Sequence, residues 1–151
     1  MKKWLIFIVL ISSNTLFWSQ NLEEVRTQYS HVIGNKELCQ NLMTELEKNK
    51  EASVLHLGYL GSLQTIWANH TFNPMNKLKT FNKGKQNIEK AIQKDPYNVE
   101  LRFIRLSIQK NIPSFLGYKN NIETDKTFIL KNMKSVESKV LHKNIQSLLN
   151  Q

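Results

Sequence analysis

The sequence predicts an all-α protein of five to six antiparallel helices, stacked as helical hairpins. Three observations predict it. Beyond position 20, apolar residues recur at helical spacing, and no alternating run is long enough to suggest a strand. Asn or Ser stands at the start of several of these runs, where a side-chain oxygen caps free backbone amides. Breaks at Gly34, Asn49–Lys50 and Asp95-Pro96 then divide the chain into helix-length pieces.

Leu22, Val25, Tyr29 and Val32 mark the first helix, which Gly34 ends and Asn35 follows as a new cap. Leu38, Leu42 and Leu46 line the second, widened by Cys39 and Met43, with Glu45, Glu47 and Lys48 on its outer face. From Val54 to Ala68 the chain is apolar on two sides. Leu55, Tyr59, Ser62 and Ile66 line one side and Leu57, Leu60 and Trp67 the other, so this helix is sandwiched. Gly58 and Gly61 each cost such a helix roughly 1 kcal/mol in propensity, and close approach of a neighbouring helix backbone is the reason to expect. After the loop from Asn69 to Pro74, a fourth helix runs from about Met75 to Lys94. Leu78, Phe81, Ile88, Ala91 and Ile92 face inward, and Lys79, Lys83, Lys90 and Lys94 form a row on the opposite side, best read as a solvated face.

Asp95-Pro96-Tyr97-Asn98 stops that helix and caps the next. Val99, Leu101, Phe103, Ile104, Leu106 and Ile108 leave the helix from Val99 to Lys110 almost no polar face, which predicts a central position. Glu100, Arg102 and Arg105 are embedded in it, with Arg105 on the Leu101–Ile108 face. A buried guanidinium requires a paired, hydrogen-bonded partner, and Glu100, Glu123 and Asp125 are the candidates. The pattern favours a structural ion pair over a ligand contact. Next comes an unusually apolar connector, Ile112-Pro113-Ser114-Phe115-Leu116-Gly117-Tyr118. Pro113, Phe115, Leu116 and Tyr118 are therefore a candidate interaction loop, with packing onto the helices as the simpler expectation. Asn121 opens a helix carrying Ile122, Asp125, Phe128, Ile129 and Met133. Ser135 is positioned to cap a last one carrying Val136, Val140, Leu141, Ile145, Leu148 and Leu149.

The first nineteen residues follow a different rule. Lys2 and Lys3 precede an apolar run from Trp4 to Ile11 and a polar exit at Ser12, Ser13, Asn14 and Thr15. This is the layout of a secretory signal, too short in its apolar part for the roughly 20 residues a spanning helix needs. The expectation is cleavage after Ser19 or nearby, export to the periplasm or beyond, no stable membrane insertion afterwards, and one helical domain over 20–151. Cys39 is the single cysteine, so no internal disulfide forms and the thiol reads as a small buried apolar group.

The net charge of +9 carries less information than its size suggests. Eighteen of the cations are Lys and three are Arg, and neither Arg forks nor aromatic platforms cluster as nucleic-acid recognition requires. No nucleic-acid partner is expected. Catalytic and metal motifs are also missing from the pattern: no phosphate loop, no nucleophile elbow, and His31, His56, His70 and His142 fall on separate elements. The chain is expected to be non-catalytic and to need no cofactor.

Two resemblances sharpen the architecture. Gly84, Ile88, Ala91 and Pro96 fall at the spacing of the small, apolar, alanine and proline positions in the second helix of a tetratricopeptide repeat, and Leu57-Gly58 resembles that repeat's first-helix pair. Over about Tyr59 to Ile129, the chain also resembles a family of small uncharacterised exported proteins of Bacteroidota. Lys94-Asp95-Pro96, Glu100-Leu101-Arg102-Phe103-Ile104-Arg105 and Pro113-Ser114-Phe115-Leu116-Gly117-Tyr118 carry that likeness. The first resemblance implies a tetratricopeptide-like hairpin bundle with Gly58, Gly61 and Gly84 as helix-packing glycines; the second implies export. The likeness to the exported family carries no activity; the leading expectation is a protein- or peptide-interaction module in the periplasm, using a groove or the Pro113–Tyr118 loop. The alternative is a small-molecule or lipid carrier with an apolar pocket between the Gly58/Gly61 helix, Trp67 and the central helix; an enzyme is the less favoured reading, with Glu100, Arg105 and Asp125 as the polar group that would have to converge.

Overall fold

The computed structural model describes residues 22–151, and the signal-like segment, 1–19, lies outside them. Seven helices form among the described residues: α1 (22–28, continued by a 3-10 turn at Tyr29–His31), α2 (Lys36–Lys48), α3 (Val54–Trp67), α4 (Pro74–Lys94), α5 (Val99–Asn111), α6 (Ile122–Asn132) and α7 (Lys139–Leu149). No strand occurs among these residues. The all-α class is as expected, but the count is seven rather than five or six. Each of the seven helical runs read along the chain forms its own helix, so five to six undercounts those runs; Met133–Ser135 turns out of α6 as a separate 3-10 element before α7. No described helix is long and apolar enough to cross a membrane.

Caps account for most of the boundaries. Asn35 Oδ1 accepts from the Leu38 amide, Ser53 Oγ from His56, and Asn73 from Met75 and Asn76, with Pro74 at the first helical position. Asn98 accepts from the amides of Glu100 and Leu101. The last helix is capped by Ser138, which accepts from the Leu141 amide, and not by Ser135. Three residues make the difference: Ser135 lies inside the 3-10 turn, whereas Ser138 has the extended backbone that a cap requires.

The central helix is α3, not α5 as its sequence suggested. Every residue of α3 from His56 to Ile66 is buried, whereas α5 leaves Arg102, Ser107 and Lys110 partly open. Crowding at glycine explains this position. A Cβ on Gly61 would stand 2.6 Å from the Gly84 carbonyl oxygen and 2.8 Å from the Ile88 amide nitrogen. The α3 and α4 backbones therefore cross in contact at Gly61 and Gly84. Gly58 differs from the expected backbone approach: what it admits is the Leu101 side chain, 2.6 Å from its virtual Cβ. Leu78, read as inward, is half exposed, because α4 extends past α3 at its N-terminal end.

Contact order along the helices gives their directions. Gly58 faces Ala91 while Thr65 faces Gly84, so α3 and α4 are antiparallel. Arg105 meets Asp125 and Gln109 meets Asn121, so α5 and α6 are antiparallel as well. Tyr59 reaches Glu100, and a hydroxyl bridge joins Ser62 to Ser107, which makes α3 and α5 parallel. α1 packs along this parallel pair. It touches α3 and α5 through Tyr29, and α7 through Glu23, Ser138 and Asn144.

Candidate functional site

All three arginines of the chain are committed to buried carboxylates, in two separate networks. The first joins α1 to α5. Arg26 grips Glu100 with two parallel donors, Nε to Oε1 at 2.7 Å and Nη2 to Oε2 at 2.6 Å, and spends Nη1 on Glu23 at 2.8 Å. Tyr59 donates its hydroxyl to the same Glu100 Oε1 at 2.6 Å. The Glu100 carboxylate holds the Arg26 guanidinium well above the ordinary arginine value, against the opposing effect of burial. Burial and the neighbouring Glu100 charge push the Tyr59 phenol well above its usual range, so it stays a donor. Beside them, Ser107 donates to the Ile104 carbonyl, which leaves its oxygen to accept from Tyr29, and Ser62 then donates to Tyr29.

The second network joins α5 to α6 and α4. Asp125, fully buried, accepts from Arg105 Nε and Nη2 at 2.6 and 2.7 Å and from Arg102 Nη1 at 3.0 Å. Arg105 Nη1 donates to Glu89 on α4 at 2.9 Å, and Tyr118 donates to the other Glu89 oxygen at 2.5 Å. Burial alone would lower the Arg105 guanidinium; the Asp125 hydrogen bonds and charge outweigh it and raise it. Arg102 also donates to the Pro96 carbonyl and lies over the Phe128 ring.

These networks separate residues that the sequence grouped together. Asp125 is the partner of Arg105, Glu123 is exposed, and Glu100 belongs to Arg26, so Glu100, Arg105 and Asp125 do not converge on one site. The Pro113–Tyr118 connector also divides. Tyr118 is buried against Phe81 and Glu89 with Lys85 over its ring, so it is an anchor and not part of an interaction surface. Pro113 is exposed, Leu116 is partly buried, and Phe115 is 86 % exposed. Gly117, at φ 62°, takes the left-handed conformation that lets the loop turn back onto α4. The space over Gly58 and Gly61 is filled by Leu101, Ile104, Gly84 and Ile88, leaving no room there for the pocket a carrier needs.

Among the described residues, a cleft of about 870 Å³ opens where the N-terminal ends of α5 and α7 meet the start of α1. Glu23, Arg26, Asp95, Tyr97, Asn98, Glu100, Glu137, Ser138 and Lys139 line it. Four carboxylates face two cations, the reverse of the chain's overall balance. The positive ends of the two helices are already met. Ser138 caps α7 and donates to Glu23 at 2.9 Å, while Asn98 caps α5 and Glu100 sits in its first turn. Burial would raise the Glu23 carboxyl, but hydrogen bonds from Arg26 and Ser138 bring it below the usual carboxylate range. Asp95 accepts one bond from Asn98, Glu137 is exposed, and Tyr97 stands 82 % exposed at the rim. A smaller hollow of about 540 Å³ lies beside Trp67, bordered by Met43, Glu47, Lys48 and Lys83.

Sequence reasoning missed Glu23, Arg26 and Glu89. The signal that could have found them is arginine scarcity: a chain that places Lys at its surface and holds three Arg uses those three where a fork is required. Among the described residues, no group of three or more His, Cys, Asp or Glu side chains could hold a metal ion. No family model, curated protein or solved structure matches the chain.

Proposed function

We propose that this is an exported, non-catalytic interaction protein of the cell envelope, which holds an extended segment of a protein or peptide partner in the cleft between α1, α5 and α7. The observation that carries this reading is the cleft itself. It is open, polar and acidic within a basic chain, has an exposed tyrosine on its rim, and is walled by charges already locked to one another. Asp95, Glu137 and Tyr97 are the contacts left for a ligand, and they suit the ammonium or guanidinium of a Lys- or Arg-bearing segment. The ligand's carbonyls would find Lys139.

The export half of the reading rests on the Lys2–Thr15 layout. The alternating directions of α3 to α6, with glycine contact between α3 and α4, support a tetratricopeptide-like arrangement in which parallel α3 and α5 form a row with α1 laid along it. The test is a displayed library of random peptides selected on the immobilised protein. Enrichment of Lys- or Arg-containing sequences, lost on the Glu137→Lys and Tyr97→Ala variants, is the expected result. Enrichment indifferent to both rim substitutions would refute the cleft as the site.

A further inference from the structure

On a separate surface, we infer that α4 docks the protein onto an anionic phospholipid bilayer. Lys79, Lys83, Lys90 and Lys94 are all exposed and, at about 100° per residue, fall within a sector of roughly 60° opposite the buried Phe81–Ile88–Ala91 face. The one acid of the helix, Glu89, lies about 80° round the helix from Lys79 and is held by Arg105 and Tyr118, so no acid on α4 pairs with the row. A second, independent feature sits at the N-terminal end of the same helix. Phe72, in the loop just before the helix, is 98 % exposed, and Met75, about 40° round the helix from Lys79, is 79 % exposed; half-exposed Leu78 lies about 130° from the middle of the row and does not share its face. No lysine of the row lines the acidic cleft, so docking would leave that cleft accessible.

A lysine row alone is satisfied by water, and two exposed apolar residues alone by a protein partner. The combination on one helix and the loop before it matches a lipid surface, whose phosphates attract the ammonium groups while its acyl boundary takes the apolar end. A nucleic acid offers the phosphates and no place for Phe72 and Met75, and the chain's arginines, the better phosphate forks, are all engaged by carboxylates elsewhere.

The test places an environment-sensitive fluorophore on the full chain at Phe72→Cys and, separately, at Tyr97→Cys. The native Cys39 is fully buried and stays closed to the label. With vesicles of phosphatidylcholine containing a quarter phosphatidylglycerol, the label at 72 should brighten and shift to the blue while the label at 97 stays unchanged. Pure phosphatidylcholine vesicles should give no response. The combined K79Q, K83Q, K90Q and K94Q substitutions, all on exposed positions, should weaken the response at least about ten-fold. The same reading at 72 and 97, an undiminished response in the glutamine variant, or a response to soluble polyphosphate with none to vesicles would overturn the inference. Anchoring through the apolar N-terminal segment alone would bind vesicles without changing the label at 72, and would count against it equally.

Discussion

At the scale of single residues, the chain separates its two kinds of cation. Lysines stay at the surface, and every arginine pairs with a carboxylate that is buried or nearly so, Arg26 and Arg105 by two-donor forks and Arg102 through Nη1 alone. Asp125 shows the consequence. Removing it leaves Arg105 and Arg102 without their shared acceptor, and an uncompensated buried charge costs about 3–5 kcal/mol. Asp125→Ala should therefore lower the urea midpoint sharply, while the double variant R105M/D125L should recover more than half the loss; equal losses in both would contradict the ion-pair account. His56 makes a second prediction. Its ring is buried, with Nδ1 2.8 Å from Ser53 Oγ, and burial holds it below the ordinary histidine range. The unfolded chain then takes up a proton first as pH falls below about 6.5, so stability present at pH 7 declines on the way to pH 5. The depressed Glu23 carboxyl adds its own loss only below about 4.5. His56→Gln should flatten the upper part of that decline in thermal melts. The thiol of Cys39 is pushed up to about 11 by burial, so Ellman's reagent should react with it only after unfolding. The sequence showed that Arg105 needed a carboxylate and included Asp125 among the candidates. It could not show Arg26 beside Glu100, because 74 residues separate them and neither lies in a repeating pattern.

At the scale of elements, helix starts were legible wherever a side chain does the capping locally. Asn35 and Asn98 cap where they were expected, because the signal and the structure lie within three residues of each other. The rank order of burial was not legible in the same way. α5 reads as central because its apolar residues leave little polar face, yet the more apolar α3 takes the centre, because Gly61 and Gly84 let two backbones meet and α1 closes over the Tyr59–Ser62 side. Those contacts depend on which helices become neighbours, and periodicity carries no such information. The glycines provide the check. At Gly61 an added methyl meets backbone atoms, so Gly61→Ala should cost about 2 kcal/mol despite its better helix propensity. At Gly58 the same methyl meets only the end of the Leu101 side chain, which can turn aside, so Gly58→Ala should stay within about 1 kcal/mol of the parent. Similar thermal midpoints for the two variants would remove the α3–α4 crossing as the organising contact.

At the scale of the whole molecule, α1 lies along the parallel row of α3 and α5 and reaches α7, and the acidic cleft is the stretch at its start that stays open. Interlocked charges hold α1 there: Arg26 to Glu100, Glu23 to Ser138, and the Arg26 carbonyl accepting from Asn144 at 2.7 Å. The class of the fold was readable from the sequence because helical periodicity is a local property. The cleft was not, because its walls come from three separate segments, at positions 23–26, 95–100 and 135–141. Recognition of a basic segment of a partner by this cleft is tested by an amide chemical-shift titration with a selected Lys- or Arg-bearing peptide. Tyr97, Asn98, Glu137 and Lys139 should shift together and saturate with one affinity, while the buried Arg105–Asp125 network stays still. Shifts concentrated at Phe115 or beside Trp67, with the cleft silent, would contradict it.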